Sequence, residues 1–160
     1  MRLRILLLGI ACLPVALSIE KSARSAVANT PAFACPTTTS PEKKYGNQFL
    51  STILWPKGKV IFEPGGSGFV LEDGALAMKF PWWRLVEGQL TIEGHRLDGP
   101  AAPLRASVPD GYGATGFQST ALIFPAPGCW EVTGRVGGGS LTFVTQVVKI
   151  GEGPERAREN

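Results

Sequence analysis

The feature that most constrains this chain is the distribution of its apolar residues between residues 49 and 150. They occur in short runs, such as KVIFE (59–63) and STALIFP (119–125), and Gly, Pro or Asp separates one run from the next. No segment repeats its apolar residues with the period of an amphipathic helix. Short runs between turn-forming residues are typical of β-strands. We therefore expect an all-β fold, an antiparallel β-sandwich of about seven to nine short strands, with a small β-barrel as the alternative.

The last two strands are the clearest in the sequence. The runs CWEVTGRV and SLTFVTQVVKI flank three glycines, which indicates a β-hairpin. Side chains alternate across a sheet, so Trp130 and Val132 share one face of the first strand while Cys129 lies on the other. The first face is apolar and is expected in the core, as is Phe143 of the second strand. Cys129 is expected to face outward or to lie at the rim of the sheet.

The first 28 residues have the pattern of an export signal. Arg2 and Arg4 precede an apolar run from Ile5 to Ile19. That run is shorter than the roughly 20 apolar residues that a membrane-spanning helix needs. Small residues at Ala26-Val27-Ala28 and at Ala32-Phe33-Ala34 offer two cleavage sites. We take cleavage after Ala28 as the prediction, which would place the mature protein in the cell envelope or outside the cell. An uncleaved N-terminal anchor is the alternative, and it is the only membrane contact that we expect.

Removal of this segment changes the charge balance. The chain has 16 basic and 13 acidic residues, and residues 1–28 hold four of the basic residues and one of the acidic residues, so 12 of each remain. The remaining Lys and Arg residues are scattered and form no basic stripe. Since nucleic-acid binding depends on such a stripe, we expect no nucleic-acid partner.

The cysteines favour a disulfide. Cys12 lies inside the signal, which leaves Cys35 and Cys129 as an even pair in an oxidising compartment. The alternative makes Cys12 or Cys35 a lipid-bearing N-terminus, and in the Cys35 case the disulfide is excluded. A nucleophilic Cys129 would need a neighbouring base, and the single histidine, His95, lies in an expected turn. We therefore assign no catalytic cysteine.

The C-terminal stretch LIFPAPGCWEVTGRVGGGSLTFVTQV resembles a group of predicted exported bacterial proteins that have no assigned activity. Their shared pattern is roughly LxFPxxGCWEVTGRVGxxSLTFV. The stretches WPKGKVIFEPGGSGFVLEDGALAMKFPWW and LTIEGHRLDGPAAPLRASVPDGYGATGFQ also resemble that group, so the resemblance covers about Cys35 to Lys149. The final strand pair is similar to the closing hairpin of immunoglobulin-like domains in envelope lipoproteins. The resemblance implies an immunoglobulin-like sandwich and carries over no catalytic residue.

Two aromatic segments are candidates for ligand binding. Trp82 and Trp83 are adjacent, so on a strand they point to opposite faces, one into the core and one outward. An exposed Trp with a neighbouring Arg could stack on a sugar ring, and the loop PDGYGATGFQS adds further aromatic and polar groups. In the alternative interpretation these aromatics only seal the sandwich edge and anchor the loop. The candidate ligand-binding residues are Trp82, Trp83, Arg84, Tyr112, Phe117 and Gln118.

No motif indicates a metal or a cofactor. One histidine and no Cys-x-x-Cys pair are too few ligands for a transition metal, and no Asp-x-Asp loop indicates calcium. The glycine-rich stretch EPGGSGFV leads into a strand and lacks the Lys of a phosphate-binding loop, so it is interpreted as a turn. We therefore expect no cofactor and no metal site.

These observations favour an exported, non-catalytic β-sandwich that binds a cell-envelope polysaccharide or a protein partner. The alternatives are a structural or accessory envelope protein without a ligand, and a small hydrolase that uses paired carboxylates. The expected organisation is a signal peptide at 1–28, an extended polar tether at 29–48, the sandwich at 49–150 and a disordered tail at 151–160.

Overall fold

The computed structural model describes residues 33–157. Within them the chain is almost entirely β-structure, with one short 3-10 helix at Pro56–Gly58. The prediction of an all-β fold is therefore confirmed. The strands, in chain order, are β1 Tyr45–Gly46, β2 Leu50–Thr52, β3 Lys59–Phe62, β4 Phe69–Val70, β5 Leu76–Arg84, β6 Thr91–Arg96, β7 Arg105–Ser107, β8 Gly116–Phe124, β9 Gly128–Val136 and β10 Gly139–Lys149.

The strands form two sheets that pack face to face. The first has the order β1-β2-β5-β8-β7, and β4 also pairs with β5; the second has the order β3-β10-β9-β6. The pairs are antiparallel except β3 with β10, where Lys59–Phe62 runs parallel to Gln146–Lys149. Two largely antiparallel sheets with one shared core make a β-sandwich, as the sequence predicted. The described residues form ten strands rather than seven to nine, and two of the ten, β1 and β4, are only two residues long.

The core lies between the sheets because apolar and polar side chains alternate along the long strands. Trp130 and Val132 of β9 are 0% exposed and Phe143 of β10 is 1% exposed. Aromatic rings meet across the core: the centroids of Phe80 and Phe143 are 5.1 Å apart, and those of Phe124 and Trp130 are 5.7 Å apart. The indole nitrogen of Trp130 donates to the carbonyl oxygen of Ala126 at 3.0 Å, so its polar atom is satisfied.

The hairpin expected at the C-terminal end joins β9 to β10. Its two loop residues, Gly137 and Gly138, have φ values of 52° and 82°. Positive φ at both positions is the geometry of the tight hairpin turn that glycine favours. The third glycine, Gly139, begins β10, and a Cβ atom there would come within 2.1 Å of the Phe49 ring. Its lack of a side chain therefore admits that ring against the strand.

The predicted disulfide between Cys35 and Cys129 is confirmed, with the two Cα atoms 5.5 Å apart. Cys129 is the second residue of β9, near one end of the strand, and it is 0% exposed. Its side chain is covered because the bonded Cys35 lies over it.

The segment expected to be a tether is part of the fold from Cys35 onward. The Thr38 amide donates to the Val144 carbonyl at 2.8 Å, and the Val144 amide donates to the Thr38 hydroxyl at 2.9 Å. Farther along, the Tyr45 hydroxyl donates to the Thr142 carbonyl at 2.9 Å. β3 pairs only with the last residues of β10, Gln146–Lys149. The bonds to Thr142 and Val144 cover the preceding part of the same edge, which would otherwise be an open strand edge.

The C-terminal segment also differs from expectation. The Val70 amide of β4 donates to the Glu155 carbonyl, and the Ala157 amide donates to the Val70 carbonyl, both at 3.0 Å. Gly153 and Pro154 are buried. Residues 151–157 are therefore ordered by a strand partner that their own charged sequence does not reveal.

The predicted signal peptide at 1–28, with Cys12, and residues 158–160 of the predicted tail lie outside the described residues. Within residues 33–157 no helix is long and apolar enough to cross a membrane.

Candidate functional site

The outer face of the first sheet carries a patch of aromatic rings. Trp83 of β5 stands opposite Phe117 of β8, with ring centroids 5.4 Å apart. The ring of Tyr112 lies 6.2 Å from that of Phe117, and the Lys44 ammonium lies 4.0 Å from the centre of the Trp83 ring. Phe117 is 48% exposed and Tyr112 is 37% exposed. We call Trp83, Phe117, Tyr112 and Lys44 the aromatic patch.

The neighbouring tryptophan, Trp82, points the other way. It is 0% exposed and packs in the core against Phe80 and Phe143. A Cβ atom on Gly134 of β9 would come within 2.7 Å of the Trp82 ring, so that glycine makes room for the indole. The hypothesis that Trp82 contacts a ligand was therefore wrong, because strand alternation commits it to the core.

Arg84 and Gln118 were also expected beside the exposed tryptophan, and they lie on the opposite side of the sheet from Trp83. Arg84 is 7% exposed and Gln118 is 6% exposed. The Arg84 guanidinium donates to the Gly88 carbonyl at 2.9 Å and to the Gly113 carbonyl. Gln118 donates from its amide nitrogen to the Pro109 carbonyl at 3.1 Å. Both side chains thus connect the sheet to the loop of residues 109–114.

That loop and the β5–β6 connection enclose a cleft of about 370 Å³ at one end of the sandwich. Arg84 and Gln118 line it, Glu87 and Asp110 contribute exposed carboxylates, and Tyr112 lines it from the loop. Tyr112 therefore belongs both to the cleft and to the aromatic patch. We call this feature the end cleft.

Polar atoms without a partner concentrate at the end cleft. Among the described residues, three buried side-chain nitrogen or oxygen atoms have no hydrogen-bond partner: Trp82 Nε1, Arg84 Nε and Gln118 Oε1. Two of the three belong to residues that line the end cleft. Buried polar groups normally have hydrogen-bond partners. Two residues of the end cleft therefore have hydrogen-bonding atoms that no described residue pairs with.

A second concave surface runs beside the outer edge of β3. It measures about 670 Å³ and is lined by apolar groups such as Trp55 and Met78, with Lys57 and Lys59 beside them. None of the buried unpartnered polar atoms of residues 33–157 belongs to a residue that lines it. It therefore offers a ligand less specific chemistry than the end cleft does.

The ion pairs elsewhere lie at or near the surface. Arg105 with Asp73 and Arg135 with Glu93 are exposed, and Arg96 with Asp98 is partly buried. His95 is exposed, with its Nε2 atom 3.9 Å from Glu131. In the part of the chain that the structure describes, no three His, Cys, Asp or Glu residues come close enough to hold a metal ion.

Two parts of this arrangement could not be predicted from the sequence. Lys44 lies in the segment that was expected to be a tether, so nothing linked it to Trp83. The carboxylates of Glu87 and Asp110 lie in separate loops, and only the fold brings them to one cleft. Tyr112, Phe117 and Gln118 could be identified from the sequence because all three lie in one short glycine-rich stretch, which continues into β8.

Comparison with known proteins adds no assignment. No protein-family model matches the chain, and none of the curated proteins matches it. The functional interpretation therefore depends on the geometry of the aromatic patch and the end cleft.

Proposed function

We propose that the protein is an exported, non-catalytic binding module that recognises a saccharide of the cell envelope on the aromatic patch. The observation that carries the proposal is the exposed Phe117 ring, packed against the half-buried Trp83 ring on the outer face of the first sheet, with Tyr112 beside them. The apolar face of a sugar ring stacks on such surfaces, while its hydroxyl groups need polar neighbours. Lys44 and the adjoining end cleft supply those neighbours.

Rigidity supports this proposal. Trp83 and Phe117 are directly opposite each other on the paired strands β5 and β8. Stacking residues on paired strands lose little conformational freedom on binding, which favours affinity. The Lys44 ammonium makes a cation–π contact with Trp83, which places a hydrogen-bond donor beside the stacking surface.

Export is supported by the disulfide. The Cys35–Cys129 bond joins residues 94 positions apart and is buried at Cys129. Structural disulfides of this kind persist in oxidising compartments, such as the bacterial periplasm and the exterior of the cell. A saccharide of the cell envelope is a ligand that such a protein would meet.

The test is binding of the disulfide-bonded protein to an array of bacterial envelope glycans. Phe117→Ala should weaken binding by about tenfold, since one stacked ring contributes ~1–1.5 kcal/mol. Trp83→Ala should weaken it at least as much. Phe69→Ala is the matched control, because Phe69 is an exposed phenylalanine on β4, at 46%, outside the patch.

Unchanged binding in the Phe117 variant, with its fold intact by circular dichroism, would contradict the proposal. Loss of binding in the Phe69 control as well would point to a general effect on folding. Binding of a purified envelope protein through the patch, with no glycan bound, would replace the saccharide with a protein partner.

A further inference from the structure

The end cleft contains a buried cation without a counter-ion. Arg84 is 7% exposed, yet among the described residues no carboxylate forms an ion pair with it. Arg96, Arg105 and Arg135 each have a carboxylate oxygen within 2.6 Å. Arg84 is unusual because it is buried without such a partner, and proteins rarely bury a guanidinium without a paired charge.

A role in holding the loop accounts for only part of the Arg84 geometry. Two of its N–H groups donate to the carbonyls of Gly88 and Gly113, which ties the β5–β6 connection to the loop of residues 109–114. Its Nε atom has no partner, and carbonyl oxygens do not neutralise its charge. A guanidinium binds a carboxylate through paired N–H groups, so its chemistry matches an anionic ligand.

Gln118 lies near Arg84 in the wall of the end cleft. Its amide nitrogen is used by the Pro109 carbonyl, which leaves the amide oxygen, Oε1, as a buried acceptor without a donor. Gln118 stands opposite Trp82 in the β5–β8 ladder, two positions from the pair formed by Arg84 and Gly116. Because this oxygen is covered, the groups that the end cleft offers to a ligand are the Arg84 donors and the carboxylates at its rim.

The charge at the rim selects among anions. Glu87 and Asp110 are exposed at the mouth of the cleft, and both repel a negative ligand. A phosphate group carries more negative charge than a carboxylate and is repelled more strongly. A molecule with a single carboxylate and several hydroxyl groups fits both features, since the carboxylate suits Arg84 and the hydroxyl groups donate to the carboxylates of the rim.

We propose that the end cleft binds the carboxylate of a uronic-acid-bearing saccharide. Arg84 pairs with the carboxylate through the N–H groups of its terminal nitrogens, and the carboxylates of Glu87 and Asp110 at the rim accept from neighbouring hydroxyl groups. Tyr112 lines the cleft and also contacts Phe117, so the adjoining sugar of the same chain reaches the aromatic patch. This inference rests on the proposed function and narrows its ligand to acidic saccharides.

The ligand side of the test leaves the protein unchanged. Titration calorimetry of the disulfide-bonded protein would use tetrasaccharides rich in galacturonate, glucuronate or mannuronate, the methyl ester of each, a neutral galactose tetrasaccharide and a tetraglutamate peptide. We expect at least one uronate to bind about tenfold or more tightly than its methyl ester, because esterification removes the charge that pairs with Arg84.

The protein side uses conservative variants of Arg84. Arg84→Met should reduce binding of the uronate to the level of its methyl ester, and Arg84→Lys should retain part of the difference because it keeps the charge. Arg105→Met is the matched control, since Arg105 is an exposed arginine outside the cleft. Thermal unfolding of each variant identifies any that fail to fold, and the ester comparison then decides without them.

The possible outcomes separate the two proposals. Equal binding of a uronate and its ester, with loss in the Trp83→Ala variant, would overturn the carboxylate assignment and leave the saccharide module in place. Tight binding of tetraglutamate without binding of any saccharide would overturn both and indicate an acidic peptide partner. Absence of binding by every member of the panel, and by the glycan array, would also overturn both.

Discussion

The contact between Trp82 and Gly134 leads to a quantitative prediction about the core. An alanine methyl group at position 134 would lie 2.7 Å from one carbon of the indole and 2.8 Å from a second. Trp82 is 0% exposed and packed against other rings, so it cannot move aside freely. Overpacking of this kind costs ~1–3 kcal/mol, and the better strand preference of alanine recovers ~0.5–1 kcal/mol. We expect Gly134→Ala to lower the free energy of unfolding by about 1–2 kcal/mol.

A second substitution tests the cause. Trp82→Phe removes the ring atoms that the new methyl group would strike, so the double variant should be more stable than the sum of the single effects predicts. The expected coupling energy is about 1–2 kcal/mol, the range seen for residues in direct contact. The single Trp82→Phe variant leaves a cavity but also removes a buried N–H group without a partner, and the cycle cancels both effects.

Urea unfolding followed by far-ultraviolet circular dichroism would measure all four proteins with the disulfide intact. Gly113→Ala is the control, because a Cβ atom there meets only one atom, at 3.6 Å. It should change the free energy of unfolding by less than about 1 kcal/mol. Additive effects at positions 82 and 134, or a Gly134→Ala variant as stable as the parent, would refute the steric interpretation.

Two further predictions concern the covalent and ionic bonds of the second sheet. Replacing both Cys35 and Cys129 with serine should lower the free energy of unfolding by ~3–5 kcal/mol, because the disulfide joins residues 94 positions apart. Urea unfolding would measure this change, and reduction of the disulfide in the parent protein should reproduce it. Burial raises the pKa of Asp98, but the hydrogen bonds from Arg96 and the Cys129 backbone, with the Arg96 charge, outweigh it and lower the pKa below its ordinary 3.8. The Arg96–Asp98 pair therefore stabilises the fold above pH 3.8, and this stabilisation is lost as the pH falls through the lowered pKa of the folded state. The loss of unfolding free energy caused by Asp98→Asn at pH 7 should shrink in acid. A loss that stays constant from pH 7 to pH 2 would contradict this.

The sequence predicted those parts of the fold that depend on local pattern. Alternation in β9 indicated that Trp130 and Val132 share a buried face, and three glycines located the turn to β10. What it missed depends on distant partners. Residues 151–157 are held in place by hydrogen bonds to β4, and residues 38–47 by hydrogen bonds to β10. The composition of neither segment indicates these distant partners.

The candidate site divides in the same way. Alternation showed that Trp82 and Trp83 face opposite sides, but the choice between them depends on Gly134, which lies more than fifty residues farther along the chain. For the same reason Arg84 appeared to belong with Trp83 although it shares the inner side with Trp82. Lys44 joined the patch only because the N-terminal segment returns along the sheet.

The order of strands has a consequence for how the chain acquires its structure. Each sheet is completed by a late strand: β8 pairs with β5 and β7, while β10 pairs with β9 and β3. A chain synthesised only as far as residue 115 would have β2 and β4 beside β5, but it would lack β8, and β3 would have no strand partner. Because such long-range pairing precedes any stable core, folding is expected to be slow and to begin only when the last third of the chain is available. We therefore expect a chain of this design to gain its two-sheet core only when its synthesis is nearly complete.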